Sequence, residues 1–290
     1  MTDRSSASPK PATKKTKAAN SKLLQELPFG DMQDFEDAKS GFIAPLPNNG
    51  VVTNAKGEPI YDLSKFTAFI GEGKDAPDTV HPGLWRQSQL LMLGGLFKVV
   101  DGIYQVRAAD LSNITFIEGP DGVVVIDPLI SEETARYTLD LYYAHRPRRP
   151  VVAVIYSHSH VDHFGGVRGV VSEDDVKSGK VKIFAPEGFL EAAVAENVLA
   201  GNAMSRRATY MYGNLLPHSP TGQRRFGTDN LARHRHPHPA DGRDQTERRK
   251  AQDCRTRLRV LDGAGLRSAI GNVLLYPVDE SAVHGRRRGP

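Results

Sequence analysis

One cysteine, Cys254, stands in 290 residues. A lone thiol cannot build an intrachain disulfide framework, and its isolation fits a reducing compartment. Nowhere do eighteen apolar residues run together, so no transmembrane helix and no membrane partner are expected. The opening stretch, MTDRSSASPKPATKKTKAANSK, has no apolar stretch of the kind that drives secretion, and a cytoplasmic location is the expectation. There is a single tryptophan, Trp85. What remains is 39% hydrophobic, enough for a substantial core in a chain of this length.

Lysine is the other scarcity, and it is local. Residues 1–223 hold 13 Lys and 10 Arg against 26 acids, a net −3. Residues 224–290 hold 1 Lys and 14 Arg against 8 acids, a net +7. The chain's formal +4 therefore belongs wholly to the tail, and the body is mildly acidic. A nucleic-acid partner would rest on that tail alone, including Arg286, Arg287 and Arg288, and would be nonspecific.

Four regions emerge from composition. Residues 1–25, rich in Lys, Ser, Ala and Pro, read as a disordered basic tail. Residues 26–100 read as an N-terminal extension, with a short helix near Asp31 and with Trp85 packing the extension onto the main domain. From 101 to 223 the pattern sharpens. GIYQVRAA and NITFIEG alternate as strands do, the turn GPDG leads into the apolar VVVID, and PVVAVIY is a second buried strand. Ser131 is placed to cap a helix through EETARYTLDLYYAHR, with Ala135, Tyr137, Leu139 and Tyr142 on one stripe. A strand VKIFAP and a helix from Glu187 to about Ala200, closed by Gly201, complete a layered α/β order.

The strand PVVAVIY runs directly into SHSHVDHFGG. Polar ligands there sit at a strand's C-terminal end, where α/β sheets bind theirs. Side chains two apart share a face of an extended segment, so His158 and His160 can address one ion. Asp162 and His163 lie one turn on and can face a second, while Gly165 and Gly166 permit a tight turn into a helix. Imidazole and carboxylate without thiolate suit hydrolytic zinc. Two such ions can activate water near neutral pH and clamp an anionic leaving group.

TFIEGPDGVVVIDPL followed by VIYSHSHVDHFGG resembles the metallo-β-lactamase superfamily. HPGLWRQSQLLMLGGLFKVVDGIYQVRAADLSN and NAMSRRATYMYGNLLPHSPTGQ are similar, more narrowly, to its alkyl sulfatase branch, over roughly residues 25–223. The resemblance implies an αβ/βα sandwich of which this chain holds the first half, with disordered tails at either end. It implies a two-zinc hydrolase of alkyl sulfate esters such as dodecyl sulfate. His158 and His160 would bind one zinc, and Asp162 and His163 the other, with Asp162 also positioning the water. Asp127 would support the loop rather than bind metal. Arg206, Arg207, Tyr210 and Tyr212 either face the sulfate, which guanidinium forks match well, or form an exposed helical turn with packed tyrosines. The family's homodimer is built through a later helical domain that this chain lacks.

The family pattern also needs two glutamates and a histidine downstream, and the chain instead continues as RRFGTDNLARHRHPHPADGRDQTERRK. A shifted reading frame accounts for this. Permitted codons for Leu266 onward, read one base later, give S-E-A-P-S-E-M-F-F-Y, and the same shift from Gln223 yields a strand-like continuation. Residues 224–290 are therefore read as an out-of-frame, disordered tail, with the missing glutamates straddling Arg267/Ser268 and Arg286/Arg287. The tail's His234, His236, His238 and His284 are discounted as substitutes. An inactive truncated fragment is the expectation for this copy. A superfamily hydrolase of thioesters or β-lactams is the alternative for its ancestry.

Overall fold

The computed structural model describes residues 11–212 and 259–260. In chain order its elements are α1 (Lys14–Glu26), α2 (Gln33–Lys39), β1 (Phe42–Ala44), β2 (Val51–Thr53), β3 (Pro59–Asp62), α3 (Ser64–Thr67), α4 (Pro82–Leu91), β4 (Gly95–Val100), β5 (Ile103–Arg107), β6 (Ile114–Glu118) and β7 (Val123–Ile126). Then come α5 (Glu132–His145), β8 (Val151–Ile155), α6 (Glu173–Lys177), β9 (Lys182–Ala185), α7 (Phe189–Val194), α8 (Gly201–Tyr212) and the two-residue β10 (Arg259–Val260).

One sheet organises the molecule, in the order β1-β4-β5-β6-β7-β8-β9-β10. Pairing is antiparallel from β1 to β7 and parallel from β7 onward. The change of direction has a local cause. β7 is a run of β-branched residues, and α5 carries the chain back so that β8 can lie parallel beside it. Val123, Val124 and Val125 are all buried, as a strand covered on both faces requires.

The helix α5 begins where Ser131 accepts the Thr134 amide, 3.2 Å away, and presents Ala135, Leu139 and Tyr142 to the sheet. Tyr142 stacks on Phe116 with centroids 4.5 Å apart. At the far end, Arg146 grips both oxygens of Glu118 on β6, at 2.8 and 2.9 Å, and lies over the Tyr104 ring. That guanidinium holds the Glu118 carboxyl below its usual range. Helix and sheet are thus fixed by the ion pair at one end and by the aromatic stack along the shared face.

Several expectations change. Residues 14–26 form a helix rather than a disordered tail, because Thr13 caps it and Asn20 donates to the Asp78 and Val80 carbonyls. Trp85 packs with Phe66, Ile70 and Val80 in a cluster internal to the extension, its indole N–H donating to the Lys74 carbonyl at 2.7 Å. The extension joins the main body instead through β4, which pairs with β5, and through Leu46, Val52, Tyr61 and Leu63, which enter the main core. The helix expected from Glu187 divides into α7, a π-helical turn at Ala195–Leu199, and α8. Gly201 accordingly opens a helix instead of closing one. The remaining tail expectations, for 1–10, 213–258 and 261–290, lie outside the described residues. Among the described residues no helix is long and apolar enough to cross a membrane.

The glycines after the histidine cluster also serve a different end. Gly166 has an ordinary backbone conformation, φ −87° and ψ 8°, and leads into a 3₁₀ turn, Val167–Gly169. What it needs is room. A Cβ there would run into the carbonyl oxygens of Pro128 and Ser131, and one at Gly165 into those of Ile130 and Val161. The loop after β8 therefore lies directly against the loop after β7. Gly166→Ala is expected to destabilise the fold by at least about 2 kcal/mol in urea denaturation, since backbone on both sides must shift.

Candidate metal centre

The two loops that touch carry the site. β7 ends at Ile126, and the next residue, Asp127, takes up the left-handed conformation with φ 55°, as does Leu129 with φ 61°. Such geometry costs roughly 1–2 kcal/mol per residue, and for a leucine it is rare. It turns the Asp127 carboxylate toward the loop after β8. There it accepts the Ser157 amide at 2.8 Å, the Ser157 hydroxyl at 2.7 Å and His163 Nδ1 at 2.8 Å.

These bonds dictate where the imidazole protons sit. A carboxylate only accepts, so His163 Nδ1 carries the hydrogen. The Ser157 hydroxyl spends its own hydrogen on Asp127, so toward His158 Nδ1, 2.8 Å away, it accepts. Both neutral rings are thereby left with a lone pair on Nε2, the state in which imidazole ligates metal.

The histidines are gathered tightly. The His158 ring centroid is 4.6 Å from that of His160 and 4.1 Å from that of His163. His163 Nε2 lies 3.3 Å from Asp162 Oδ2. There an acceptor faces an acceptor, and a cation between them relieves the repulsion. Two ligands about 2.0–2.1 Å from a tetrahedral zinc are themselves about 3.3 Å apart, so the donor set fits such an ion. Among the described residues no three His, Cys, Asp or Glu side chains converge on one point; the cluster offers pairs.

A buried carboxylate underlies the loop. Asp110 accepts the Leu111 amide at 2.5 Å, the Ile130 amide at 3.1 Å and the Thr134 hydroxyl. Two residues on, the Ser112 hydroxyl donates to the Asp162 carbonyl. Burial raises the Asp110 carboxyl to about 6, against the lowering effect of its hydrogen bonds. Beneath the loop, Phe164, Tyr156 and Phe189 pack ring against ring at 5.2–5.8 Å.

Of the residues expected from the sequence, His158, His160, Asp162 and His163 are brought together. Arg206, Arg207 and Tyr210 lie exposed on α8, and among the described residues no hydrogen bond or ion pair joins them to the histidines. Tyr210 is 84% exposed, so it is not a packed tyrosine. Tyr212 is the last residue of α8, and its side chain lies outside what is described. Three participants escape sequence reasoning. Asp110 and Ser112 sit in an ordinary-looking ADLSN loop, and Glu196 lies far along the chain, its Oε1 3.3 Å from His160 Nε2.

Residues 107–247 match the metallo-beta-lactamase superfamily and belong to it; the match runs past Gln223. Over 214 residues the chain is 66% identical to a linear primary-alkylsulfatase of a Pseudomonas species, covering 74% of this chain and 32% of that one. It is 52% identical over 214 residues to a Pseudomonas (R)-specific secondary-alkylsulfatase, with the same coverage. The structure of the stereoselective inverting sec-alkylsulfatase Pisa1 from Pseudomonas superposes with a TM-score of 0.67 at 53% identity, covering 73% of this chain and 33% of that one. The chain thus spans about a third of the length of these relatives.

Asp127→Asn replaces one accepting oxygen with a donor. It is expected to cost about 1–3 kcal/mol and to shift His163 from the Nδ1–H tautomer, seen in imidazole ¹⁵N shifts. The raised Asp110 carboxyl makes a second prediction. Its neutral form stabilises the fold below about pH 4, and that contribution is lost as pH rises through about 6, a loss of roughly 3 kcal/mol. Urea unfolding from pH 4 to 7 should show this slope in the wild type and not in Asp110→Asn; equal slopes would refute it.

Proposed function

We propose that this chain carries the first part of a zinc-dependent hydrolase that cleaves alkyl sulfate esters, linear primary ones such as dodecyl sulfate. The observation that carries the reading is the loop after β8. Two of its histidines have their Nε2 lone pairs freed by Asp127 and Ser157, in a chain 66% identical to a linear primary-alkylsulfatase where the two align. His158 and His160 would hold one zinc, and Asp162 and His163 the other. When bound, zinc supplies Lewis acidity toward the sulfate oxygens and the attacking water.

The protein's own part is arrangement. Asp127 sets two tautomers at once, and Ser112 anchors the Asp162 backbone, so that the carboxylate faces His163 rather than solvent. Phe164, Tyr156 and Phe189 close the underside of the loop to water. Arg206 and Arg207 form no ion pair among the described residues, which leaves their guanidinium groups available to an anionic sulfate; Tyr210 and Tyr212 share their helix. The substrate is a small molecule, and two tetrahedral sites would need ligands beyond the four that this loop supplies.

The abrupt change from lysine to arginine after Gln223 supports reading the tail as out-of-frame translation, and hence this copy as inactive. Two measurements test both readings. The 290-residue polypeptide should release no alcohol from dodecyl sulfate in a zinc-dependent manner. A version restored to the alternative frame after Gln223 should hydrolyse it, and should lose at least about a thousandfold in kcat/KM on His158→Ala, in line with removal of a group on which the chemistry depends. Zinc-dependent turnover by the unaltered chain, abolished by His158→Ala, would overturn the inactivity. A restored protein that cleaved thioesters or β-lactams and left dodecyl sulfate intact would overturn the substrate.

A further inference from the structure

We propose that a cleft beside α5 binds a single-chain alkyl sulfate as a second, non-catalytic site, its headgroup on Arg148 and Arg149 and its tail along an apolar floor. The inference takes its ligand class from the alkyl-sulfate reading but needs neither zinc nor turnover.

The cleft, of about 780 Å³, is bounded by α5, the start of β8 and the segment from Arg168 to Ser172. Small-molecule sites commonly enclose roughly 300–1,000 Å³. Leu139 and Tyr143 face it from α5, Val151 from β8, and Val170, Val171 and Val181 from the segments on either side of α6. Leu139, Val170 and Val181 are buried, so the floor is the surface of the core. The cleft takes in Pro150–Val152, at the N-terminal end of β8. The histidine loop follows the other end of that five-residue strand, about 16 Å along it.

The rim is cationic, and its charges are unequally matched. Arg136 is paired with Glu132 at 3.3 Å, Arg168 with Glu173 at 2.5 Å and Lys180 with Asp175 at 3.3 Å. Among the described residues no ion pair reaches Arg148 or Arg149. Arg148 lies over the Tyr143 ring, 5.0 Å from its centroid, and Arg149 gives one N–H to the Gly119 carbonyl at 2.9 Å. Glu118 feels the charge of Arg149, but both its oxygens are taken by Arg146. The Tyr143 hydroxyl donates to the Arg149 carbonyl at 2.6 Å, which ties this pair of arginines to the helix that forms the floor.

Consecutive guanidinium groups without a counter-ion repel each other, and an oxyanion shared between them removes that cost. Their forked donors match sulfate oxygens. The Tyr143 ring, beneath one guanidinium and facing the cleft, joins the charged mouth to the apolar floor. An inorganic anion would leave that floor wet, and a neutral alcohol would leave the arginines unmatched. An alkyl sulfate satisfies both.

Calorimetric titration of the 290-residue chain tests this, with a chelator present so that no ester is cleaved. Hexyl, octyl and decyl sulfate are added below their micelle concentrations. One saturable site per chain is expected, with affinity rising up to about fourfold for each added methylene. Arg148→Ala/Arg149→Ala should weaken decyl sulfate at least about tenfold. Val171→Glu, which sets a carboxylate on the floor, should also weaken it. Lys56→Glu, in the turn between β2 and β3, should leave affinity within twofold. The chain-length series uses the wild type alone and stands even where a variant fails to fold.

Affinity independent of chain length, or equal losses in Arg148→Ala/Arg149→Ala and Lys56→Glu, would mean ionic adsorption and overturn the inference. Tighter binding of decanoate than of decyl sulfate would overturn it too, making the ligand a carboxylate. If no alkyl sulfate binds and the chain self-associates until Arg148→Ala/Arg149→Ala separates it, the cleft is an interface between copies and the inference fails. Each of these leaves hydrolysis at the histidine loop untouched, which the frame-restored protein tests separately.

Discussion

One carboxylate, Asp127, joins the two loops on which everything else rests. It sits at the end of a buried strand in a backbone conformation that costs energy, and it recovers that cost in three hydrogen bonds to the neighbouring loop. Because it can only accept, its position also determines which nitrogen of His163 and, through Ser157, of His158 keeps a lone pair. A single side chain thereby links a strand ending, a loop path and the chemical state of two imidazoles. Conformational strain of this kind is stable only where the surroundings over-determine it, and the buried Asp110 network and the aromatic packing under the loop provide that.

The same dependence explains the glycines. Were the loop after β8 simply a turn, Gly166 would be needed for its conformational freedom. It is needed for its missing side chain, since the carbonyls of Pro128 and Ser131 occupy the space. Close approach of the two backbones brings Asp127 within reach of Ser157 and His163. Packing and site chemistry are one constraint at this point in the fold.

Much of the frame was legible along the chain. The apolar runs that became β7 and β8, the Ser131 cap and the stripe on α5 are local signals, because buried strands and capped helices need particular residues at short spacing. The clustering of His158, His160, Asp162 and His163 in one loop was legible for the same reason. Other features were not legible. The composition of 1–25 resembles solvated tails elsewhere, yet Asn20 finds the carbonyls of Asp78 and Val80 nearly sixty residues away and a helix forms. Trp85 had a visible hydrophobic demand with no indication of which neighbours would meet it. The division of the last helices at Ala195–Leu199 left no signal in residue type or spacing.

The sequence alone determined which residue types gather at one place: three imidazoles and a carboxylate in six residues after a hidden strand, in a body whose charge balance differs from that of its tail. Those are properties of residue type and spacing, which survive without coordinates. Tertiary structure decided which acids serve which histidines. Asp127 reaches His163 and Glu196 reaches His160 from separate places along the chain, and such side chains meet the loop only when folding brings their backbones together.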